Sequence, residues 1–351
     1  SAASDVYKRQ SMFFISYIEI MEAKENLKIS QEDLEKANMI IREIQNYYQK
    51  KIVGQTRLGL SLLTSLIANG HILLESVPGL AKTTAAKVLT EAVSGKFSRI
   101  QCTPDLLPSD IIGTQTFNYG TNNFETKLGP VYANFVLLDE INRSSAKTQS
   151  AMLEAMQERQ TSIGGKIFKM PDVFIVIATQ NPIEQEGTYL LSEAQLDRFL
   201  LKEKLDYPTR EEELEILNRL ESGTFSKGKS VVKLEDIIYL QNLAQKVYID
   251  ESIKKYIINI IAATRNPKEI IPRSLAQYVT LGSSTRGAIA FMEVAKAIAL
   301  INGRSYVIPD DVKLLRYNVL RHRISLNFAA IADDVEVETI IDEIIGAIKT
   351  P

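Results

Sequence analysis

The amino-acid sequence predicts an α/β protein in which a parallel sheet lies between helices and a second, helical domain follows. One observation is the chain length of 351 residues, which usually corresponds to two domains. A second is the alternation of short apolar runs with amphipathic segments, which is typical of a parallel sheet covered by helices. A third is the loss of strand-like runs after Pro208, where helical periodicity continues.

The composition is that of an ordinary globular protein. Hydrophobic residues make up 45% and charged residues 24%, which excludes a disordered or fibrous chain. The 41 basic and 43 acidic residues give a net charge of -2, so the overall charge does not attract nucleic acid or an anionic membrane. The net charge does not exclude a local basic groove. Cys102 has no intrachain partner and is expected to be a small core residue, which favours a cytoplasmic protein.

The first residues do not predict a signal peptide. Two basic residues precede an apolar stretch over residues 12–18, but Glu19 and Glu22 follow directly and no small-residue cleavage site appears. No later segment approaches the roughly 18 apolar residues of a membrane-spanning helix, so no membrane insertion is expected. We interpret residues 1–29 as a tail, partly disordered or foreign to the natural protein, and Met12 as a candidate natural start.

The first domain is predicted to begin with two helices and to continue as alternating strands and helices. Ser30 followed by Asp33 predicts a capped helix that ends near Lys50, and a second helix reaches Ala68. The predicted strands that follow are residues 72–74, 97–102, 135–138 and 173–177, and the predicted helices between them are 82–94 and 146–159.

Two segments of the first domain are predicted to be insertions. Residues 112–132 are rich in Thr, Asn, Gly and aromatic residues, which indicates a loop or hairpin. Residues 161–170 alternate and carry two central glycines, which is typical of a β-hairpin. The domain boundary is placed after residue 207, and the predicted helices beyond it are 209–221, 233–248, 251–264, 285–302, 309–323 and 335–348.

A loop between the first predicted strand and helix has the context of a phosphate-binding loop. Backbone N–H groups and the helix N-terminus would face the phosphates, Lys82 would neutralise β/γ charge and Thr83 would hold Mg²⁺. Ser76 and Ala81 stand where the strict motif has glycine, so a chance Lys-Thr helix start is the alternative. The candidate phosphate-binding residues are Ser76, Val77, Pro78, Gly79, Leu80, Ala81, Lys82, Thr83 and Thr84.

Acidic and amide side chains follow the third and fourth predicted strands. Asp139 would bind Mg²⁺ through water and Glu140 would polarise the attacking water, because phosphoryl transfer depends on positioning and charge stabilisation. An acidic pair that merely ends a strand is the alternative. Asn181 would lie at the same sheet edge and orient water or touch the γ-phosphate, with a turn-forming Asn-Pro as its alternative. Together these residues predict an ATPase with ATP and Mg²⁺ as cofactors.

Beyond these motifs, the chain resembles AAA+ ATPases of the MoxR family over about residues 35–345. The stretches that carry the resemblance are residues 75–83, 104–110, 129–130, 137–143, 178–182, 192–199 and 282–286. The resemblance implies a P-loop NTPase core of five parallel strands over residues 30–207 and a helical lid over 208–351. It also implies a homo-oligomeric ring of six subunits and chaperone-like remodelling or maturation of partner proteins, often ones with von Willebrand factor A domains.

The resemblance assigns roles to further residues. Arg198 matches the arginine finger, which reaches the γ-phosphate held by a neighbouring subunit, with a local pair to Asp197 as the alternative. Arg286 matches sensor 2 and would couple the nucleotide to lid closure, with a solvated helix-end arginine as the alternative. Arg143 would act across the interface or pair locally. The predicted adenine contacts are Val53, Gly54 and Gln55.

Ser76 departs from the family pattern, because relatives normally carry glycine there. If the position requires a positive φ, a side chain costs about 1–2 kcal/mol, equivalent to roughly tenfold in phosphate affinity. A weakly hydrolysing, nucleotide-gated scaffold is therefore an alternative function. The two predicted insertions are candidate contacts for substrate or partner, with plain surface loops as the alternative.

A nucleic-acid-directed AAA+ protein, helicase-like or activator-like, is a further alternative. The sequence argues against it, because it has two histidines, no zinc pattern and no dense basic run. Residues 50–51 and 321–323 are interpreted as isolated charges at helix ends.

Overall fold

The computed structural model describes residues 29–77, 79–80, 82–182, 188–222 and 229–351. The predicted tail, apart from Ile29, and the loop residues Pro78 and Ala81 therefore lie outside the described residues.

Eleven strands occur in the described part of the chain, and those from the first domain include both predicted insertions. In chain order they are β1 (Ile72–Glu75), β2 (Phe97–Gln101), β3 (Gly113–Asn118), β4 (Asn123–Leu128), β5 (Phe135–Asp139), β6 (Gln160–Ile163), β7 (Lys166–Lys169), β8 (Ile175–Gln180), β9 (Leu201–Lys204), β10 (Val279–Leu281) and β11 (Ser325–Leu326).

The helices form two groups, one around the sheet and one C-terminal to it. They are α1 (Gln31–Lys51), α2 (Thr56–Ile67), α3 (Lys82–Ala92), α4 (Pro108–Ile112), α5 (Ala146–Glu158), α6 (Glu193–Leu196), α7 (Arg210–Glu221), α8 (Leu234–Lys246), α9 (Glu251–Arg265), α10 (Arg273–Ala276), α11 (Thr285–Ile301), α12 (Pro309–Leu314), α13 (Arg316–Leu320), α14 (Phe328–Ala332) and α15 (Val337–Ala347), with short 3₁₀ turns at Ile141–Arg143 and Pro267–Glu269.

A five-stranded sheet in the order β2-β5-β8-β1-β9 forms the centre of the molecule, and every neighbouring pair is parallel. This confirms the predicted parallel sheet and the five strands that the resemblance implies. The carboxyl ends of β5, β8 and β1 are adjacent, so the side chains that follow these strands meet at one edge. Among the described helices, none combines the length and apolar character that a membrane span requires.

The sheet separates two hydrophobic cores, because successive side chains of a strand point to opposite faces. In β5, Phe135 and Leu137 belong to the larger core, whereas Val136 and Leu138 belong to the smaller one. The larger core contains α1, α2 and α3 together with buried residues of α8, α9, α11 and α15. The C-terminal helices thus pack directly on the sheet domain. Cys102 is buried in the smaller core, as predicted, and burial raises the pKa of its thiol to about 12.

Both predicted insertions form antiparallel hairpins, β3–β4 and β6–β7. The second turns at Gly164 and Gly165, which have φ values of 57° and 78° and so adopt the left-handed conformation that glycine favours. The predicted helix over residues 309–323 is instead two short helices, α12 and α13, which are separated at Leu315 (φ -110°, ψ 29°). Residues 321–323 follow α13, but they are buried rather than solvated charges.

Candidate functional site

The predicted phosphate loop connects β1 to α3, as expected from the sequence. Lys82 is the first residue of α3, and its Nζ lies 3.4 Å from the carbonyl oxygens of both Ser76 and Val77. The loop backbone therefore curves around the lysine ammonium group. Gly79 has a φ of 90°, a conformation that L-residues rarely adopt, so glycine is required at this point of the loop.

Ser76 does not have the backbone conformation that would cause strain. It is not among the described residues with positive φ, so the condition under which a side chain would cost affinity at this position is not met. Its hydroxyl is buried and donates a hydrogen bond to the Val77 carbonyl at 3.0 Å. Serine therefore fits this position without distorting the loop.

Asp139 lies buried at the end of β5 and has two partners. Arg99 of β2 contacts its Oδ2 through Nε at 3.1 Å and Nη2 at 2.5 Å, and Thr179 of β8 donates to its Oδ1 at 2.8 Å. The Thr179 hydroxyl in turn accepts a hydrogen bond from the Glu140 backbone N–H at 2.8 Å. Neighbouring strands on both sides therefore fix the Asp139 carboxylate.

Glu140 follows Asp139 in a left-handed conformation with a φ of 57°. Its Oε2 accepts hydrogen bonds from Gln101 Nε2 at 3.0 Å and from Arg143 Nη1 at 3.2 Å. Of the two alternatives for Arg143, the structure shows the local pair. A carboxylate with these partners is directed along the sheet edge towards β2.

Asn181 is buried directly after β8, at the same edge as Asp139. Its carbonyl lies 3.5 Å from the Asn142 side-chain nitrogen. Beside it, Gln180 donates to Glu75 at 2.5 Å, and Lys202 forms an ion pair with Glu75 at 2.7 Å. Burial tends to raise the pKa of Glu75, but these partners outweigh it, so the pKa is lowered and the carboxylate stays ionised. The predicted acidic and amide groups are thus brought together at one edge.

A cleft of about 460 Å³ adjoins the phosphate loop. Val53 and Gln55, two of the three predicted adenine contacts, line it together with Gly79 and Leu80 of the loop. Gly54, between them, has a φ of 62°, and the Glu212 carboxylate fills the space where a Cβ would stand. The remaining lining residues were not predicted and lie at or just after the predicted domain boundary: Tyr207, Pro208, Glu213, Ile216 and Leu217.

The residues at this edge fit Mg²⁺ and a nucleoside triphosphate. Mg²⁺ takes oxygen ligands and is usually held by one or two protein groups together with phosphates and water. Asp139 and Thr83, the second residue of α3, supply a carboxylate and a hydroxyl. The contact with Arg99 shows that a positive charge is already accommodated at Asp139. The largely apolar cleft beside Gly79 suits a planar base next to the phosphates.

Arg198 and Arg286 lie at the opposite edge of the sheet. They line a cavity of about 220 Å³ together with Gly70, His71 and Leu200, which precede β1 and β9. The four residues of β1 span roughly 13 Å between this edge and the phosphate loop. The structure therefore separates both arginines from the phosphate loop of the same chain.

Arg198 forms no ion pair with any described residue, and its Nε has no hydrogen-bond partner there. The alternative pair with Asp197 is not formed, because the Asp197 carboxylate binds Arg323 at 2.8 Å and Ser284 at 2.7 Å. Arg286 is the second residue of α11, is half exposed, and lies 3.5 Å from Gln157 and 4.0 Å from Asp197. Among the described residues, the Arg198 guanidinium therefore has no carboxylate partner.

Two protein-family models match the chain. Residues 71–201 match the ATPase family associated with various cellular activities (AAA), and residues 274–344 match the AAA lid domain. The first range contains the phosphate loop, Asp139, Glu140 and Arg198, and the second contains Arg286.

Individual relatives are similar over most of their length. Chaperone MoxR1 of Mycobacterium tuberculosis is 46% identical over 300 residues, which are 86% of this chain and 79% of that protein. Protein MoxR of Paracoccus denitrificans is 29% identical over 293 residues, 79% of this chain and 86% of that protein. The crystal structure of a protein from Cytophaga hutchinsonii superposes with a TM-score of 0.86 at 44% identity. The match covers 94% of this chain and 99% of that chain.

Proposed function

Because the chain belongs to the MoxR family of AAA+ ATPases, we propose that it binds ATP with Mg²⁺ and hydrolyses it to ADP and phosphate. The observation that carries this proposal is the convergence of Lys82, Asp139, Glu140 and Asn181 at the carboxyl edge of one parallel sheet. Phosphoryl transfer needs charge neutralisation and a positioned water rather than a reactive side chain, and this set of groups supplies both.

In the proposed mechanism, the loop N–H groups and Lys82 hold the β- and γ-phosphates, while Asp139 and Thr83 hold Mg²⁺. The bound metal neutralises charge that develops on the phosphates. Glu140 orients and polarises the attacking water, and Asn181 fixes that water or the γ-phosphate from the adjacent strand. Before it can do so, Glu140 has to exchange its present partners on β2 and the 3₁₀ turn for the water.

We propose further that the site is shared between subunits of a homo-oligomeric ring, with six subunits as the family expectation. Arg198 is unpaired within the described residues and lies across the sheet from its own phosphate loop. It is therefore suited to stabilise the γ-phosphate of a neighbouring subunit, a contribution that can be worth about 10³–10⁵ in rate. Arg286 lies beside it, so a role for Arg286 at the nucleotide would belong to the same shared interface.

The proposed biological role is chaperone-like remodelling or maturation of partner proteins in the cytoplasm, with von Willebrand factor A domain proteins as expected partners. A related protein is named a chaperone, and the β3–β4 hairpin has the exposed apolar surface that a client contact requires. Phe117, Tyr119 and Phe124 form edge-to-face pairs on it, with ring centroids 5.1 and 5.2 Å apart. Ile167 is exposed on the second hairpin. We favour hydrolysis over a weakly hydrolysing, nucleotide-gated scaffold, because Ser76 has no positive φ and therefore no backbone strain of the kind on which that alternative drew.

The shared site is tested by mixing two inactive variants. Glu140→Gln keeps an intact Arg198 but cannot polarise water, whereas Arg198→Ala keeps an intact pocket but deprives its neighbour of a cation. Each variant alone is expected to hydrolyse ATP at least about 10²-fold more slowly than the wild type. Mixed rings contain interfaces at which the intact pocket of one variant meets the intact arginine of the other, so part of the activity returns.

The measurement is steady-state phosphate release from each variant and from the mixture, with native mass spectrometry to establish that mixed oligomers form. Mixed oligomers without any regained hydrolysis would show that Arg198 does not act on a neighbouring subunit. Unimpaired hydrolysis by Glu140→Gln would instead contradict the role of Glu140 in the pocket.

A further inference from the structure

The backbone on both sides of Arg198 is held by one buried side chain from the C-terminal region. Arg323 donates from Nε to Asp197 Oδ1 at 2.8 Å, from Nη2 to the Phe199 carbonyl at 2.7 Å and from Nη1 to the Leu200 carbonyl at 3.2 Å. Arg323 is itself 6% exposed. Its guanidinium thus connects the residue before Arg198 with the two residues after it.

Two neighbours of Arg323 strengthen this contact. The fully buried His322 lies with Nε2 3.1 Å from the same Phe199 carbonyl, which can act as acceptor only, so Nε2 carries the proton and donates. Burial lowers the pKa of His322 well below its usual range, in keeping with a neutral ring. From the start of α11, Ser284 donates to the other Asp197 oxygen at 2.7 Å. Three C-terminal side chains therefore bind the segment that carries Arg198.

Within the sheet domain, the Leu200 backbone N–H donates to the His71 carbonyl at 2.8 Å, and Phe199 is buried in the smaller core. The turn that carries Arg198 is otherwise held by bonds to its own short helix. The backbone N–H groups of Asp197 and Phe199 bind the carbonyls of Glu193 and Leu196 in α6, a helix of four residues. Helices this short have little stability of their own, because nucleation costs more than the few bonds return. The carbonyl groups of the segment point to Arg323 instead. A planar guanidinium with five donors can satisfy several acceptors at once, which the single ammonium of lysine does less well.

We propose that Arg323 is a positioning residue for Arg198, holding the 197–200 backbone so that the Arg198 guanidinium is presented to the γ-phosphate of the neighbouring subunit. This inference rests on the shared site proposed above. Under this proposal, ATP hydrolysis in the pocket of one subunit depends on the C-terminal region of its neighbour. The chain's own pocket lies at the other edge of the sheet and does not depend on this contact.

The test uses Arg323→Lys and Arg323→Gln in the full-length chain. A misplacement of about 1 Å at a catalytic group can cost roughly 10²-fold in rate, so we expect a loss of that order in ATP hydrolysis by pure rings. ATP affinity, measured by titration calorimetry, should stay within about twofold of wild type. Arg323→Lys keeps a buried cation beside Asp197. If Arg323→Gln does not fold, the test rests on Arg323→Lys.

The decisive measurement mixes each Arg323 variant with Glu140→Gln, which supplies an undisturbed Arg198. If Arg323 acts through Arg198, its variants regain hydrolysis in mixed rings in the same way as Arg198→Ala does. Arg304→Gln is the matched control, because Arg304 also forms an ion pair with a buried carboxylate, that of Asp311 at 2.5 Å, but has no hydrogen bond to residues 197–200. It should hydrolyse ATP at close to the wild-type rate.

The outcomes separate this inference from the proposed function. Wild-type hydrolysis by folded Arg323→Lys would overturn the positioning role. The role is likewise excluded if Arg198→Ala regains activity on mixing and the Arg323 variants do not, because their defect would then lie within their own subunit. Failure of Arg198→Ala to regain activity would remove the shared site itself, and the inference with it.

Discussion

Ser76 and Gly79 occupy the same phosphate loop, but their backbones differ. Gly79 has a φ of 90°, whereas Ser76 is outside the left-handed region. A residue other than glycine in that region costs about 1–2 kcal/mol, which corresponds to roughly tenfold in affinity. Binding should therefore tolerate a change of side chain at Ser76 and be weakened by one at Gly79.

We expect Ser76→Gly to leave the affinity for Mg²⁺·ATP within about threefold of wild type, because there is no strain to relieve and one hydrogen bond to Val77 is lost. Gly79→Ala is the matched control and should weaken binding by about tenfold or more. Titration calorimetry of both variants provides the comparison. A tenfold gain for Ser76→Gly would show that the loop takes up a left-handed conformation at this residue when it binds nucleotide.

The sequence singled out the charged residues of the candidate site but not the groups that hold them. Asp139, Glu140 and Lys82 lie at element ends, where a polar side chain after an apolar run is conspicuous. Arg99 and Gln101, which bind the two acidic residues, alternate along an edge strand with ordinary polar character. Their role depends on the register that places Gln101 opposite Asp139, and no local pattern specifies that register.

At the scale of elements, the β3–β4 hairpin presents a cluster of exposed aromatic side chains. Tyr119 is 90% exposed and Phe124 is 67% exposed, although both are large apolar side chains. Neither contributes to the two hydrophobic cores. Their substitution should therefore separate contact with other proteins from folding.

We expect Tyr119→Ser combined with Phe124→Ser to keep basal ATP hydrolysis and thermal stability unchanged and to reduce binding of an unfolded protein. Casein serves as the probe, and fluorescence anisotropy of labelled casein provides the measurement. Phe328→Ser is the matched control, since Phe328 is also 90% exposed but lies on α14. Equal casein binding by the hairpin variant and the control would contradict a client contact at this hairpin.

Strand β9 shows why one strand of the sheet was not predicted from its residues. Its sequence alternates Leu201 and Glu203 with two lysines, a pattern without the apolar run that marked the other strands. Yet Glu203 is 3% exposed, because Ser61 of α2 and Asn318 of α13 each contact its carboxylate at 2.5 Å. Partners from distant parts of the chain make this burial possible, and a local pattern cannot contain them.

At the scale of the whole molecule, the contacts of Glu203 with Ser61 and Asn318 connect the sheet domain with the C-terminal helices. Removing the hydrogen-bond donor of a buried polar group typically lowers the free energy of unfolding by about 1–3 kcal/mol, and by more for a charged group such as a carboxylate. Asn318 also belongs to a region that shares one continuous core with α2 and the sheet. The two parts should therefore unfold together.

We expect Asn318→Ala to lower the free energy of unfolding by about 2–4 kcal/mol, through the lost donor to Glu203 and the cavity left behind. Asn46→Ala, at an exposed position of α1, should change it by less than about 0.5 kcal/mol. Urea unfolding followed by circular dichroism measures both. A second transition, or an unchanged midpoint for Asn318→Ala, would show that the network does not join the two parts.

Under the shared site proposed above, the placement of the phosphate loop and Arg198 at opposite edges of the sheet gives every subunit a donating side and a receiving side. Contacts of this kind join subunits head to tail rather than face to face. In an open chain of n subunits, n − 1 sites would be complete, and the pocket at one end and the arginine at the other would have no counterpart. Closure adds the missing site. Activity per subunit should then rise with concentration until rings close and remain constant thereafter, so that dilution alone would switch the enzyme off.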